Sequence, residues 1–180
     1  MNSNDYFTAI TVKSDKLFDY LFFLPKDNIP WIEHFGFDAF YLDPLWIQQD
    51  KALSIVNDLY PIKQIGLLKV DPNSVYDWHR DSYRLSSLNM LISYDHISHC
   101  LFGEHRSIEE SIKPDGEAFM IDIVELKYKP ATFYIFNTQK YHCVINFEQP
   151  RYMFSLYFNE EIDYNLLKQT LSPILPPILP

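Results

Sequence analysis

Glycine is scarce in this 180-residue chain, four in all, and cysteine scarcer, with only Cys100 and Cys143. Two cysteines cannot define a disulfide scaffold, and so few glycines exclude a flexible, low-complexity chain. Long apolar runs are missing as well. The cluster Leu21-Phe22-Phe23-Leu24 stops at Pro25, far short of the ~20 residues that a membrane-spanning helix needs. The first residues lack a basic segment followed by an apolar run, so no secretion signal is expected and the cytoplasm is the expected location. Basic residues are outnumbered, 15 against 24 acidic, for a formal charge of −9. A domain whose affinity comes from phosphate contacts needs clustered Lys and Arg, so nucleic acid is disfavoured as a substrate.

What the chain has in quantity is aromatic side chains: fourteen Phe, thirteen Tyr and three Trp. That stock, in a chain the size of one domain, predicts a folded aromatic interior. Residues 7–12 read as a short strand, and the stretch from there to Leu42, punctuated by Pro25, Pro30 and Gly36, reads as an irregular peripheral layer. From Pro44 the apolar positions Leu45, Ala52, Leu53, Val56 and Leu59 predict one helix that stops at Pro61 and packs outside a sheet. Beyond it come short β-rich runs at 65–70, 85–94, 100–103, 119–126, 132–136, 141–146 and 152–158. Their lengths and the turn residues between them suit an antiparallel sandwich or barrel with Greek-key connections. The charged stretch 103–116 reads as a solvated connection, and a single domain over residues 1–160 is expected, followed by a C-terminal extension at 161–180. Its proline-rich tail cannot continue a helix; it either covers an apolar groove on its own domain or on a partner, which would allow self-association, or it is mobile.

Within the β-rich part, His79 and Asp81 flank one residue, and His142 stands alone near the end, followed by Arg151. Side chains at i and i+2 share a strand face, and a third ligand arriving from a strand across the sheet would complete a mononuclear metal site. Two histidines and one carboxylate leave about half of an octahedral iron(II) shell open. A surface histidine beside a loop carboxylate is the plainer account of His-x-Asp alone. For Arg151 the two accounts are a planar fork that matches a carboxylate with two parallel hydrogen bonds, and a barrel-end pair with Glu148 or Glu160.

The surrounding residues carry a resemblance. The runs Asp77-Trp78-His79-Arg80-Asp81, 137–146 around His142, and 151–158 from Arg151 resemble the iron(II)- and 2-oxoglutarate-dependent oxygenases over about residues 64–159. That family has a double-stranded β-helix core, a jelly-roll of the cupin-like kind, here with a peripheral N-terminal helix. Arg84 and Leu88-Asn89 resemble a compact branch of it. The resemblance implies that His79, Asp81 and His142 hold iron and that Arg151 binds the distal carboxylate of 2-oxoglutarate. It also implies that dioxygen is consumed, with release of succinate and carbon dioxide and hydroxylation of a C–H bond in the substrate.

Further groups stay open between two roles. Ser155, four positions after Arg151, can lie on the same strand face and offer a hydroxyl to that carboxylate, although many relatives carry it only two positions on, where this chain has Met153. Asn89 points inward to a cosubstrate carboxylate or lies on a solvated face. Tyr134 contributes a phenol or packs in the core, and Arg84 binds substrate or 2-oxoglutarate or is simply exposed. Tyr76, Trp78 and Tyr83 either line an entrance or pack under the outer helix. His96, His99 and His105 form a second histidine group without the close ligand pairs that zinc requires, which reads as a polar turn. The substrate class left by these arguments is a small metabolite or a peptide side chain. The alternative is a cupin-like metal protein that makes no use of 2-oxoglutarate.

Overall fold

The computed structural model describes residues 2–93, 98–107 and 118–174. Its elements in chain order are β1 (Phe7–Lys13), α1 (Asp15–Phe23), β2 (Ile32–His34), β3 (Phe37–Tyr41), α2 (Leu45–Gln49), α3 (Lys51–Leu59), β4 (Ile62–Val70), β5 (Val75–His79), β6 (Ser86–Leu91), β7 (Ser98–Ser107), β8 (Ala118–Glu125), β9 (Thr132–Asn137), β10 (Tyr141–Asn146), β11 (Arg151–Phe158) and α4 (Tyr164–Leu171). The strands form two antiparallel sheets, a seven-stranded one in the order β1-β9-β6-β11-β4-β3-β2 and a four-stranded one in the order β5-β10-β7-β8. The eight strands from β4 onward divide equally between them, and the chain crosses from sheet to sheet at almost every step. β1 widens the larger sheet on one side and the β2–β3 hairpin on the other.

Two apolar layers hold this arrangement. On the outer face of the larger sheet, Leu17 and Leu21 of α1, Leu53 and Val56 of α3, and Leu167 and Leu171 of α4 pack against Leu67, Met90, Phe154 and Leu156. Between the sheets, Leu91, Tyr134 and Phe136 of the larger meet Cys100, Phe102 and Val144 of the smaller. Each such side chain, fully buried, contributes about 1.5–3 kcal/mol. Covered on both faces, β6 is buried at all six positions. Yet strand alternation turns Leu88 and Met90 toward the helices and leaves polar Ser87 and Asn89 facing the other sheet. Buried polar side chains on an inward face mark a cavity that the fold keeps for something other than packing.

The N-terminal layer differs from its reading as irregular: it supplies α1 and the β2–β3 hairpin. α1 escaped notice because Pro25 follows it closely and its apolar positions run together. The hairpin turns at Gly36, at φ +83°, where an added Cβ would stand 2.4 Å from the Tyr76 ring, so only glycine lets the turn lie against that ring. The helix predicted from Pro44 is in fact two, α2 and α3, divided at Asp50. Leu45 and Leu59 are exposed, while Ala52, Leu53 and Val56 form the buried face. The charged stretch read as a connection from residue 103 continues as β7 through Ser107, and its remainder, 108–116, lies outside the described residues. The extension predicted from 161 is integral at first, because α4 buries Tyr164, Leu167 and Leu171 in the outer layer. Residues 175–180 of the proline-rich tail lie outside the described residues.

Asp50 joins two elements of that layer. Its Oδ1 accepts from the amides of Ala52 (3.0 Å) and Leu53 (3.1 Å) at the N-terminus of α3 and from Ser14 Oγ (3.0 Å) at the start of α1. Asp50→Ala leaves all three donors without this acceptor in a buried place. It is expected to cost about 1–2 kcal/mol, visible as a lower urea midpoint with an unchanged slope.

Candidate metal centre and cosubstrate cavity

β5 ends on His79, and β10 pairs with it so that His142 stands directly opposite His79 in the ladder. Their imidazole centroids are 4.2 Å apart. The second histidine thus comes from the adjacent strand of the same sheet, not from across it. Asp81 lies beyond the end of β5, so strand alternation is not what aims its carboxylate. The turn between β9 and β10 does that. The Asp81 amide donates to the Thr138 carbonyl (3.0 Å), and Gln139 Nε2 donates to the carbonyls of Asp81 (3.1 Å) and Arg84 (2.8 Å).

Asp81 Oδ1 lies 3.8 Å from His79 Nε2 and 3.7 Å from His142 Nε2, and the donor atoms of all three residues fall within 4.8 Å of one another. The Nδ1 atoms turn away to backbone carbonyls, that of His79 to Asp77 (2.6 Å) and that of His142 to Lys140 (3.0 Å). A carbonyl oxygen only accepts, so each Nδ1 carries a proton and Nε2 is the atom that each ring turns inward. Burial, with His79 beside it and against the pull of Asp81, holds His142 down to about 4, which keeps that ring neutral at pH 7. Three atoms able to ligate a metal therefore converge, an arrangement that becomes favourable when a cation sits in their midst. Nitrogen, nitrogen and carboxylate oxygen on one side of an ion are the donor set of non-haem iron(II). Among the described residues this is the one cluster of its kind. His99 instead bonds Glu125 Oε1 through Nδ1 (2.5 Å), while His96 and the side chain of His105 lie outside what is described.

From the triad a narrow cavity runs inward between the sheets, lined by Ser87, Asn89, Thr138, Val144 and, at depth, Arg151. Arg151 is 1% exposed and makes no ion pair among the described residues. Its Nη2 donates to the Tyr128 hydroxyl (2.9 Å) and approaches Met153 Sδ (3.6 Å), while its Nε is buried with no partner among the described residues. Burial raises the Tyr128 phenol well above its ordinary value, so it stays a neutral hydroxyl beside the guanidinium. Asn89 donates through Nδ2 to Ser87 Oγ (2.7 Å), and its Oδ1 is buried without a partner. Whichever way that amide is turned, one of its polar atoms is left over. A buried cation without an acidic partner fits a small anion, and a dicarboxylate whose other end reaches the triad meets that requirement; Asn89 adds an N–H to it only with its amide turned, Oδ1 to Ser87 Oγ and Nδ2 to the anion.

The remaining sequence candidates lie elsewhere. Ser155 shares the inward face of β11 but accepts from Arg84 Nη1 (3.2 Å) instead of meeting Arg151. Tyr134 is buried, with its hydroxyl accepting from the Lys129 amide (2.9 Å) and facing the Lys127 carbonyl (3.3 Å), away from the cavity. Arg84 stands at the junction of the cavity and an outer cleft, paired with Asp81. That cleft, about 810 Å3, is lined by Phe35, Phe37, Tyr41, Tyr76, Trp78 and Tyr83 and opens onto His79 and Asp81. Sequence reasoning missed Tyr128, Thr138 and Gln139. Each lies near a predicted strand end, but nothing in a single sequence distinguishes them from ordinary loop residues.

No family model and no curated protein matches the sequence. Solved structures do match the fold. The Pseudomonas putida prolyl-4-hydroxylase superposes with a TM-score of 0.53 at 12% identity, over 87% of this chain and 92% of that one. The α-ketoglutarate-dependent epimerase SnoN of nogalamycin biosynthesis gives 0.58 at 11% identity, over 87% and 77%. The viral collagen prolyl hydroxylase of Paramecium bursaria Chlorella virus-1 gives 0.51 at 14% identity, over 85% and 95%. The chain has the double-stranded β-helix fold. Its core, β4 to β11, is what the sequence resemblance over residues 64–159 implied. In this double-stranded β-helix the triad sits at one open end of the core, and Arg151 lies at the buried end of the cavity that begins there. Among the described residues no helix is long and apolar enough to cross a membrane.

Proposed function

We propose that this double-stranded β-helix protein is an iron(II)- and 2-oxoglutarate-dependent oxygenase that hydroxylates an unactivated C–H bond in a small metabolite or a peptide side chain. The observation that carries the reading is that one cavity is lined both by three converging metal-donor atoms and by the buried Arg151 guanidinium, which has no acidic partner among the described residues. A metal protein with no use for a dicarboxylate would gain nothing from burying that cation.

His79, Asp81 and His142 would hold the iron from one side and leave its inward side open. Bound there, iron(II) and 2-oxoglutarate would supply the electrons that activate dioxygen, the oxidant, with succinate and carbon dioxide as co-products. Arg151 orients the distal carboxylate through its free Nε and its remaining N–H groups, with Asn89 beside it. Tyr76, tilted against His79 with its centroid 4.1 Å away, and Phe102, stacked on His142 at 5.6 Å, help to hold the planes of the two rings. The outer cleft falls in the usual size range of small-molecule sites, about 300–1,000 Å3, and its aromatic lining suits a substrate with an apolar body.

Anaerobic titration of the metal-free protein with iron(II), with and without 2-oxoglutarate, tests the reading. A weak visible charge-transfer band is expected only when both are present. Saturating iron with no spectral response to 2-oxoglutarate would overturn it.

A further inference from the structure

The reading above leaves one problem unsolved: Asp81 sits on a loop, and a carboxylate has two oxygens. Left to itself, a carboxylate beside a metal can bind through both, taking up a position that cosubstrate or dioxygen needs. Here Oδ2 is already engaged. Arg84 Nε donates to it at 2.8 Å and Nη2 stands 2.7 Å from it, so the Nε–Nη2 edge of the guanidinium closes on that single oxygen, while Oδ1 alone faces the histidines. The guanidinium is itself pinned. Its Nη1 donates to Ser155 Oγ (3.2 Å) on β11, four residues from Arg151. The backbone behind it is clamped too, because the Arg84 carbonyl accepts from Thr138 Oγ1 (2.5 Å) and Gln139 Nε2 (2.8 Å).

We propose that Arg84 is a positioning residue for the metal: it holds the outer oxygen of Asp81 so that this ligand binds through Oδ1 alone, and it ties the ligand to the strand that carries Arg151. The proposal rests on the iron reading of the triad and gives Arg84 a task distinct from binding substrate or 2-oxoglutarate. A planar fork is needed because one oxygen must be held from a fixed direction; a lysine ammonium supplies the charge but not the direction. Residues that orient metal ligands in this way typically carry about ten- to hundredfold in metal affinity.

The test uses cobalt(II), whose visible bands report its ligand set, on the full-length metal-free protein. Arg84→Met, Arg84→Lys and Ser155→Ala are compared with the parent for cobalt affinity, band shape and melting temperature, and then for 2-oxoglutarate affinity at saturating cobalt. Arg84→Met is expected to weaken cobalt binding about ten- to hundredfold with altered bands and a nearly unchanged melting temperature. Arg84→Lys is expected to stay close to Met, and Ser155→Ala to lose only a few-fold. Unchanged cobalt affinity and bands in Arg84→Met would overturn the proposal, as would full recovery by lysine. So would a defect confined to 2-oxoglutarate affinity, which would make Arg84 a cosubstrate contact. A parent protein that binds no cobalt would remove the triad reading itself, and the proposal with it.

Discussion

Arg151→Met is expected to melt at a higher temperature than the parent protein and to lose its response to 2-oxoglutarate. The two effects have one cause. The guanidinium is 1% exposed, has no acidic partner among the described residues and leaves Nε without a hydrogen bond. Its compensation within the chain is the Tyr128 hydroxyl, the Tyr128 ring with its centroid 5.5 Å away, and a sulfur. Replacing buried charge by an apolar side chain of similar length is often neutral or stabilising by about 1–4 kcal/mol, and each kcal/mol moves the melting point of a domain this size by about 2–4 °C. The same replacement removes the charge that a buried carboxylate would meet. Losing one partner of such a pair costs about 2–5 kcal/mol, so the half-saturating 2-oxoglutarate concentration should rise by about thirtyfold or more. Anaerobic melts of parent and variant, with metal present and 2-oxoglutarate added or omitted, check both parts. The parent should gain about 2.7 kcal/mol of stability at a hundred times its dissociation constant, and the variant almost none. A variant that melts lower and keeps the ligand shift would show that Arg151 serves the fold.

The second large effect is expected at Asp81. Its side chain is 11% exposed and supplies the one negative charge among the three converging donors. Asp81→Ala should abolish measurable iron binding and reduce iron-dependent succinate formation by at least about a thousandfold, the scale of losing one preorganised electrostatic group from a site. The fold should survive. Asp81 belongs to neither apolar layer, and its backbone amide still donates to the Thr138 carbonyl. Circular dichroism and a metal-free melt close to those of the parent would separate a missing ligand from a missing fold. A folded Asp81→Ala protein with normal iron-dependent turnover would contradict the role given to this residue.

The strands from β4 onward, β5 excepted, were legible because short apolar runs broken by turn residues leave few other folds open, and β10 runs over the stretch 141–146 read from the sequence. The metal donors were legible as residue types in order. Their geometry was not: the spacing of His79 and Asp81 suggested one strand face, whereas β5 stops at His79 and a distant turn aims Asp81. Ser155 was placed with Arg151 by shared strand face alone, and at that distance along β11 Arg84 meets the hydroxyl instead. Tyr128 carried no signal, since nothing in one sequence says which of thirteen tyrosines will stand beside a buried cation. The N-terminal layer was obscured for a plainer reason. Where prolines fall close together, a nine-residue segment such as α1, with its apolar positions in short clusters, reads equally well as strand or loop.

The two histidines sit in strands of unequal security. β10 is flanked by neighbours on both sides, whereas β5, at the rim of the four-stranded sheet, is held by β10 alone. Without an ion, amides of the rim strand should trade their hydrogens with solvent sooner than those around His142. An ion captured between the two histidines would act as a rivet, fastening the loose margin of the molecule to its firm interior.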